Sequence, residues 1–318
     1  MKRKPRLVVI PPQHLGHELH VARCVVIDML KQNFLSPSQG DSIITGLSDR
    51  RFFYVSLFGN SNTHDFSSLP SVGKPLRPPT SLGEYLQVEA DAISGIPSFA
   101  NFQIIDLTPY AKPPTDCTFS ETEEMRELGY SIPKKFFDAD FQGLARSFDL
   151  YSKDKINQHI PDEIKYFVVI HHRYSAGDEK LLEIFASLPL KLPKLIFTAN
   201  AAELGERFRG MPNALFCDDL QLYATALDDF RCKLLISEWS GGGQLGQYLL
   251  GPQGGIWYYY DHYPDMYNFT ATHKIWERNA LLGDFFNCWD FKNLTGCDIK
   301  HFGTFKDLNS ALRLIQAN

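Results

Sequence analysis

Between Pro212 and Tyr260 short apolar runs alternate with helical periods, and no other feature of this 318-residue chain narrows its fold as far. Ala214 to Cys217 is an apolar run that ends at the acidic pair Asp218-Asp219. Leu220, Tyr223, Ala224 and Leu227 then recur at helical spacing. A second run, Lys233 to Ile236, breaks into Ser-Glu-Trp-Ser-Gly-Gly-Gly, a helical segment covers Gln244 to Leu250, and a third run covers Gly255 to Tyr259. Strand, helix, strand, Gly-rich loop, helix, strand is the pattern of a parallel α/β sheet, because parallel neighbours can be joined only by a crossover.

The same reading extends along the chain. A length of 318 residues exceeds what one core usually serves, so two domains are expected, residues 1–160 and 161–318, with the boundary at Ile160-Pro161-Asp162. In the first half, Arg6 to Ile10 reads as a strand, a helix follows from near Gly16 to Leu30, and Arg51 to Phe58 and Phe102 to Leu107 read as further strands. Gly59 to Gly83 looks like a long surface loop, Leu82 to Ser94 and Glu121 to Leu128 like short helices, and Phe136 to Ile160 like a helical region. The second half adds strands at Tyr166 to Ile170, Lys194 to Thr198 and Asp298 to Phe302. Helices are expected at Glu179 to Ser187, Ala201 to Arg209, Thr272 to Leu282 and Phe305 to Ile315.

Composition excludes some classes of function. A net charge of −5 argues against nucleic-acid binding as the main task, and no apolar run approaches a membrane span of about 18–20 residues. The N-terminal MKRKPRLVVIPP holds only a four-residue apolar run, too short for a signal peptide, so a cytoplasmic protein or a catalytic domain without its anchor is expected. The six cysteines show no C-x-x-C spacing; Cys24, Cys217 and Cys232 lie in apolar runs and read as buried free thiols.

Ligands of parallel α/β folds gather beyond the carboxyl ends of strands. His171, His172 and Arg173 follow one such end, Asp218 and Asp219 another, and Ser237, Glu238 and Ser240 a third. An Arg fork can grip a diphosphate, a carboxylate can accept from ribose or a purine edge, and Ser240 with Gly241, Gly242 and Gly243 can cradle phosphate before a helix N-terminus. In the first half, His17 and Glu18 sit in the loop that leads to the first helix and are candidates for acid/base work. The bland alternatives are a solvated first turn for Glu18, a helix cap for Asp218-Asp219 and an ion-pair partner for Arg173. Neither a Walker sequence nor G-x-G-x-x-G is present, and no D-x-D follows a strand, so no metal and no separate cofactor are expected.

These residues resemble the fucosyltransferase superfamily of GT-B glycosyltransferases. His171-His172-Arg173 with Asp178 resembles its H-x-R motif; Asp218/Asp219 with Ser237, Ser240 and Gly241 resembles its third region; Leu15-Gly16-His17-Glu18-Leu19 resembles its N-terminal glycine loop. The resemblance covers the loop near residue 16 and residues 166–260. The Arg is followed by Tyr-Ser-Ala-Gly rather than a second Arg, and the Ser-rich turn has become SEWSGGG. The resemblance implies two Rossmann-like domains facing each other across a cleft, and inverting, metal-independent transfer of a sugar, fucose from GDP-fucose, to a glycan or protein hydroxyl. It implies Arg173 at the departing diphosphate, His171, Ser237, Ser240 and Gly241 to Gly243 beside it, Asp218 or Asp219 on the nucleoside, and Glu18 or His17 as base. A GT-B transferase with another donor, such as an ADP-heptose or a UDP-sugar, and a non-catalytic carbohydrate- or partner-binding module are the alternatives.

Overall fold

A computed structural model describes residues 3–65, 101–110, 121–132, 139–172, 177–238, 240–251, 254–260, 300–302 and 312. The chain is α/β, with two all-parallel sheets in two compact units that divide between Asp149 and Leu150. Residues 150–160 group with the second unit. Tyr151 gives its N–H to Thr225, and the buried Arg231 donates to Asn157, Ile160 and Pro161, which ties this stretch to the second sheet.

In the first unit β1 (Arg6–Ile10), β2 (Ser42–Thr45), β3 (Thr63–Asp65) and β4 (Gln103–Asp106) lie in the order β3-β2-β1-β4. β1 and β2 are buried throughout, as a sheet covered on both faces requires. The helix after β1 runs from α1 (Leu15–His17) through a π-helical turn (Glu18–Ala22) into α2 (Arg23–Lys31). Arg51 to Phe58, expected as a strand, is instead helical as α3 (Phe52–Phe58), and the second strand is the shorter SIIT upstream. Aromatic and β-branched residues favour strands only weakly, and here burial of Phe52, Phe53, Tyr54 and Phe58 decides. The expected loop at Gly59 likewise yields β3.

α4 (Glu123–Glu127) is capped by Thr122, whose hydroxyl accepts from the Met125 N–H. The expected helix over Phe136 to Ile160 is two helices, α5 (Ala139–Ala145) and α6 (Lys153–Asn157). The segments expected at Leu82 to Ser94, Thr272 to Leu282 and Phe305 to Ile315 lie outside the described residues, apart from Leu312.

The second unit follows the expected alternation closely. β5 (Phe167–His171), α7 (Gly177–Ser187), β6 (Lys194–Phe197), α8 (Ala201–Arg207), β7 (Ala214–Cys217), α9 (Leu220–Asp228), β8 (Cys232–Glu238), α10 (Gly241–Leu249), β9 (Gly255–Tyr260) and β10 (Lys300–Phe302) succeed one another. Their sheet has the order β10-β9-β8-β5-β6-β7. Counted from β5 this is the 3-2-1-4-5-6 arrangement of a Rossmann sheet, and the first sheet has the 3-2-1-4 part of it. One face of the second sheet is sealed by Val168, Ile170, Leu181, Ile184, Ile196 and Trp257 in one apolar cluster. Cys24, Cys217 and Cys232 are buried free thiols.

In the first unit, the fully buried Arg23 donates to four carbonyls, those of Phe53, Leu144, Ala145 and Ser147, and its guanidinium stacks 4.1 Å from the Phe148 ring centroid. This ties α2 to α3 and to the end of α5 with a donor fork no other side chain supplies. Arg23→Met strands those carbonyls and is expected to cost about 2–5 kcal/mol, read as a lower denaturant midpoint at unchanged slope.

Candidate functional site

Strand order in the second sheet reverses between β5 and β8, since β6 and β7 extend to one side of β5 and β8 to β10 to the other. Crossovers leaving on opposite faces open a crevice there, above the carboxyl ends. His171 closes β5 in register with Phe197 of β6 and Ser237 of β8. Ser237 and Glu238, expected in a loop, continue β8 and so point to opposite faces.

His171 is only 6% exposed, with its ring stacked on Phe197 and Phe197 in turn stacked on Tyr223 of α9 at 4.5 Å. Its Nδ1 lies 3.1 Å from the Ser237 hydroxyl and 3.2 Å from the Ser240 hydroxyl. The single Ser237 hydrogen is given to the Glu238 carbonyl at 2.6 Å. With that hydrogen on the carbonyl, the His171 proton is assigned to Nδ1, which donates to Ser237, and Ser240 at the same nitrogen also accepts. The Ser240 hydrogen is then left to point at another acceptor.

Ser240 is the N-cap of α10, yet its hydroxyl makes no capping bond. The glycines expected as a loop before the helix form its first turn. A Cβ on Gly242 would come 2.5 Å from His171 Nε2, and one on Gly246 would come 2.4 Å from Leu235 Cδ2. Spaced four apart, they let one face of α10 press against the sheet. Tyr223 fixes the turn by donating to the Gly242 carbonyl at 2.7 Å. Two hydroxyl- or amide-bearing side chains of this unit, Thr198 after β6 and Gln244 in α10, are buried with Oγ1 and Oε1 lacking a partner among the described residues.

The other expected site residues fall as follows. Asp219 caps α9, with Oδ1 accepting from the Leu222 N–H at 2.9 Å and Oδ2 from the Tyr151 hydroxyl at 3.0 Å, so both oxygens serve the fold. Asp218 beside it is exposed. His172 is 1% exposed, and burial pushes its imidazole down to about 4, so it is neutral at pH 7. Arg173 lies outside the described residues, and Asp178 is ion-paired with Arg207.

In the first unit Glu18 is neither solvated nor in a loop: it is 2% exposed in the π-helical turn, accepts from the Tyr54 hydroxyl at 3.2 Å and lies 3.6 Å from Arg50. Burial outweighs Arg50 and raises its carboxyl to about 7. His17 lies in α1, its side chain outside the described residues. Among the described residues no group of three His, Cys, Asp or Glu is placed to hold a metal ion, and no helix is long and apolar enough to cross a membrane.

Tyr151, Thr198 and Gln244 escaped the sequence reading, since nothing local marks a tyrosine that reaches an aspartate across the unit. Gly246 escaped it as well, although its spacing of four from Gly242 is the signal that could have found it.

No protein-family model matches the chain, and no curated protein matches it. Among solved structures it is similar to the fucosyltransferase NodZ from Bradyrhizobium, at 13% identity and TM-score 0.38 over 78% of this chain and 94% of that one. It is also similar to E. coli heptosyltransferase WaaC with ADP-2-deoxy-2-fluoro heptose, at 14% identity and TM-score 0.41 over 86% of this chain and 100% of that one. A third is E. coli ADP-heptose lps heptosyltransferase II, at 12% identity and TM-score 0.45 over 98% of this chain and 99% of that one.

Two outcomes follow. Gly242→Ala drives a methyl into the His171 ring and should cost about 1–3 kcal/mol in thermal or denaturant unfolding. Because the folded-state carboxyl of Glu18 is raised from 4.5 to about 7, its contribution is complete below pH 4.5 and is lost as pH rises through about 7. The melting temperature of wild type relative to Glu18→Gln should therefore fall across that window.

Proposed function

We propose that the chain is a glycosyltransferase that takes a sugar from a nucleotide-diphosphate donor, with GDP-fucose the donor expected from the sequence resemblance. The observation that carries the reading is the reversal of strand order at β5 and β8, with Ser240 turned to His171 instead of capping α10. A helix start whose own cap hydroxyl faces elsewhere favours an anion, and the Ser240 hydrogen is a donor for it.

In this reading the diphosphate oxygens meet Ser240, the start of α10 at Gly241 to Gly243, and Arg173. His171 and Ser237 are buried and act behind Ser240 rather than on the donor. Asp218, the exposed member of its pair, takes the nucleoside. The bond from the anomeric carbon to the diphosphate oxygen breaks as an acceptor hydroxyl oxygen bonds to the opposite face of that carbon. The charge that builds on the leaving diphosphate is met by Arg173 and the helix start, without a metal ion. The hydroxyl proton goes to a base, for which His17 and Glu18 are the candidates. A carboxyl raised to about 7 has the proton affinity such a base needs, and an acceptor would have to reach it between Tyr54 and Arg50.

Thermal melting with GDP, UDP, ADP, CMP and their common sugars, with and without EDTA, tests the proposal. A shift with GDP that ignores EDTA and disappears in Arg173→Ala is the expected result. A shift with another nucleotide keeps the transferase and changes the donor, and no shift with any of them overturns it in favour of a binding module. Ser240→Asp should raise the melting temperature of the free protein by supplying its own carboxylate cap, while abolishing the nucleotide shift.

A further inference from the structure

Glu18 opens the π-helical turn of the helix that leaves β1, and Arg50 closes a 3₁₀ turn, Ser48–Arg50, that leaves β2. β1 and β2 are paired neighbours, with Ile10 in register with Thr45, so the ion pair between the two residues joins segments that leave adjacent strands. The carboxylate is engaged on both oxygens. Oε1 accepts from the Tyr54 hydroxyl of α3 at 3.2 Å, and Oε2 lies 3.6 Å from Arg50 Nη1. Arg50 has a second carboxylate within reach, since its Nε donates to Asp49 Oδ1 at 3.2 Å. Its guanidinium carbon lies 5.9 Å from the Phe53 ring centroid, within range of a cation–π contact.

The cluster is enclosed: Glu18 is 2% exposed, Arg50 3% and Tyr54 0%, so water does not share the charge. Among the described residues, the charged and titratable groups that face Glu18 are Arg50, Asp49, Tyr54 and Arg23. Two of these are fixed. Arg23 gives its hydrogens to the carbonyls of Phe53, Leu144, Ala145 and Ser147. Burial pushes the Tyr54 hydroxyl well above its ordinary range, so Tyr54 keeps its proton. That leaves Glu18 to change charge and Arg50 to respond, with Asp49 beside it. Two arginines balance two carboxylates while Glu18 is ionised, and a proton on Glu18 ends that balance.

A proton added to this carboxyl meets opposition on either oxygen. On Oε2 it points at a guanidinium, which has donors and no acceptor. On Oε1 it meets the Tyr54 hydrogen, and Tyr54 must turn from donor to acceptor. Either way the negative charge that holds Arg50 is gone, while Asp49 still accepts from its Nε. Burial brings the event into the neutral range, because it raises the Glu18 carboxyl to about 7. Isolated π-helical turns are frequent at functional sites, which suits a moving part here. We propose that Arg50 is a proton-operated latch: it ties the π-helical turn after β1 to the turn after β2 while Glu18 is ionised, and draws back onto Asp49 alone when Glu18 takes a proton. The latch does not rest on the nucleotide-sugar reading; under that reading, a Glu18 base that takes the acceptor's proton would throw it.

The test follows the Arg50 side chain in the full chain, without any ligand, by isotope-edited NMR of arginine-labelled protein from about pH 5 to about pH 9. The Arg50 Nε signal is assigned by its loss in Arg50→Lys. The expected result is a signal that moves between two positions with a midpoint at about 7. In Glu18→Gln it should stay at the acid position at every pH. Tyr54→Phe removes a hydrogen bond to the carboxylate and should move the midpoint up, whereas Asp49→Asn removes a like charge and should move it down. These two variants and the wild-type titration decide the matter even if Glu18→Gln does not fold. Three results would overturn the proposal: an Arg50 signal that does not move over this range, one that moves equally in Glu18→Gln, or midpoints that do not part in opposite directions in Tyr54→Phe and Asp49→Asn. Since no nucleotide enters the experiment, its failure is separate from failure at Ser240 and Arg173.

Discussion

The pairing of β5 with β8 is the contact on which the second unit's chemistry depends. Parallel strands need right-handed crossovers, and the order β10-β9-β8-β5-β6-β7 sends those crossovers to opposite faces on either side of this one pair. The register that places His171 opposite Ser237 follows from it, and so does the position of α10, whose first residue lies just beyond the end of β8. A slip of one residue would turn Ser237 to the other face and put Glu238 against the imidazole.

Close approach of α10 is the second requirement. Gly242 and Gly246 give a helix face without side chains, at the usual cost of glycine within a helix. That cost is offset by what the contact orders: an imidazole clamped between Phe197 and α10, a tyrosine on the Gly242 carbonyl and a serine drawn off its cap. The first unit treats its polar groups differently. It surrounds Arg23 with carbonyls and pairs Glu18 with Arg50 and Tyr54, while Gln13 and Thr108 find no partner among the described residues.

Much of the second unit was legible because its strands are short, apolar and fully buried, and its helices carry a clear period. Ala214 to Cys217, Lys194 to Phe197 and Gly255 to Tyr260 needed no tertiary information. The first unit was harder to read. SIIT is too short to stand out, and RFFYVSLF has the composition of a strand while burying its aromatics as a helix. The polar end of β8 was misread for a related reason: a strand in a parallel sheet continues as long as its backbone finds partners on both sides, whatever its side chains.

The sequence by itself determined the α/β class, the strand–helix alternation of the second half and the positions at which polar residues follow strands. Those depend on local periodicity and on residues close in the chain. Which of those polar residues meet was decided only by the tertiary structure. His171 and Ser240 are 69 residues apart, and Tyr151 and Asp219 are 68 apart. Burial, too, belongs to the assembled fold, and burial is what raised the Glu18 carboxyl and neutralised His172.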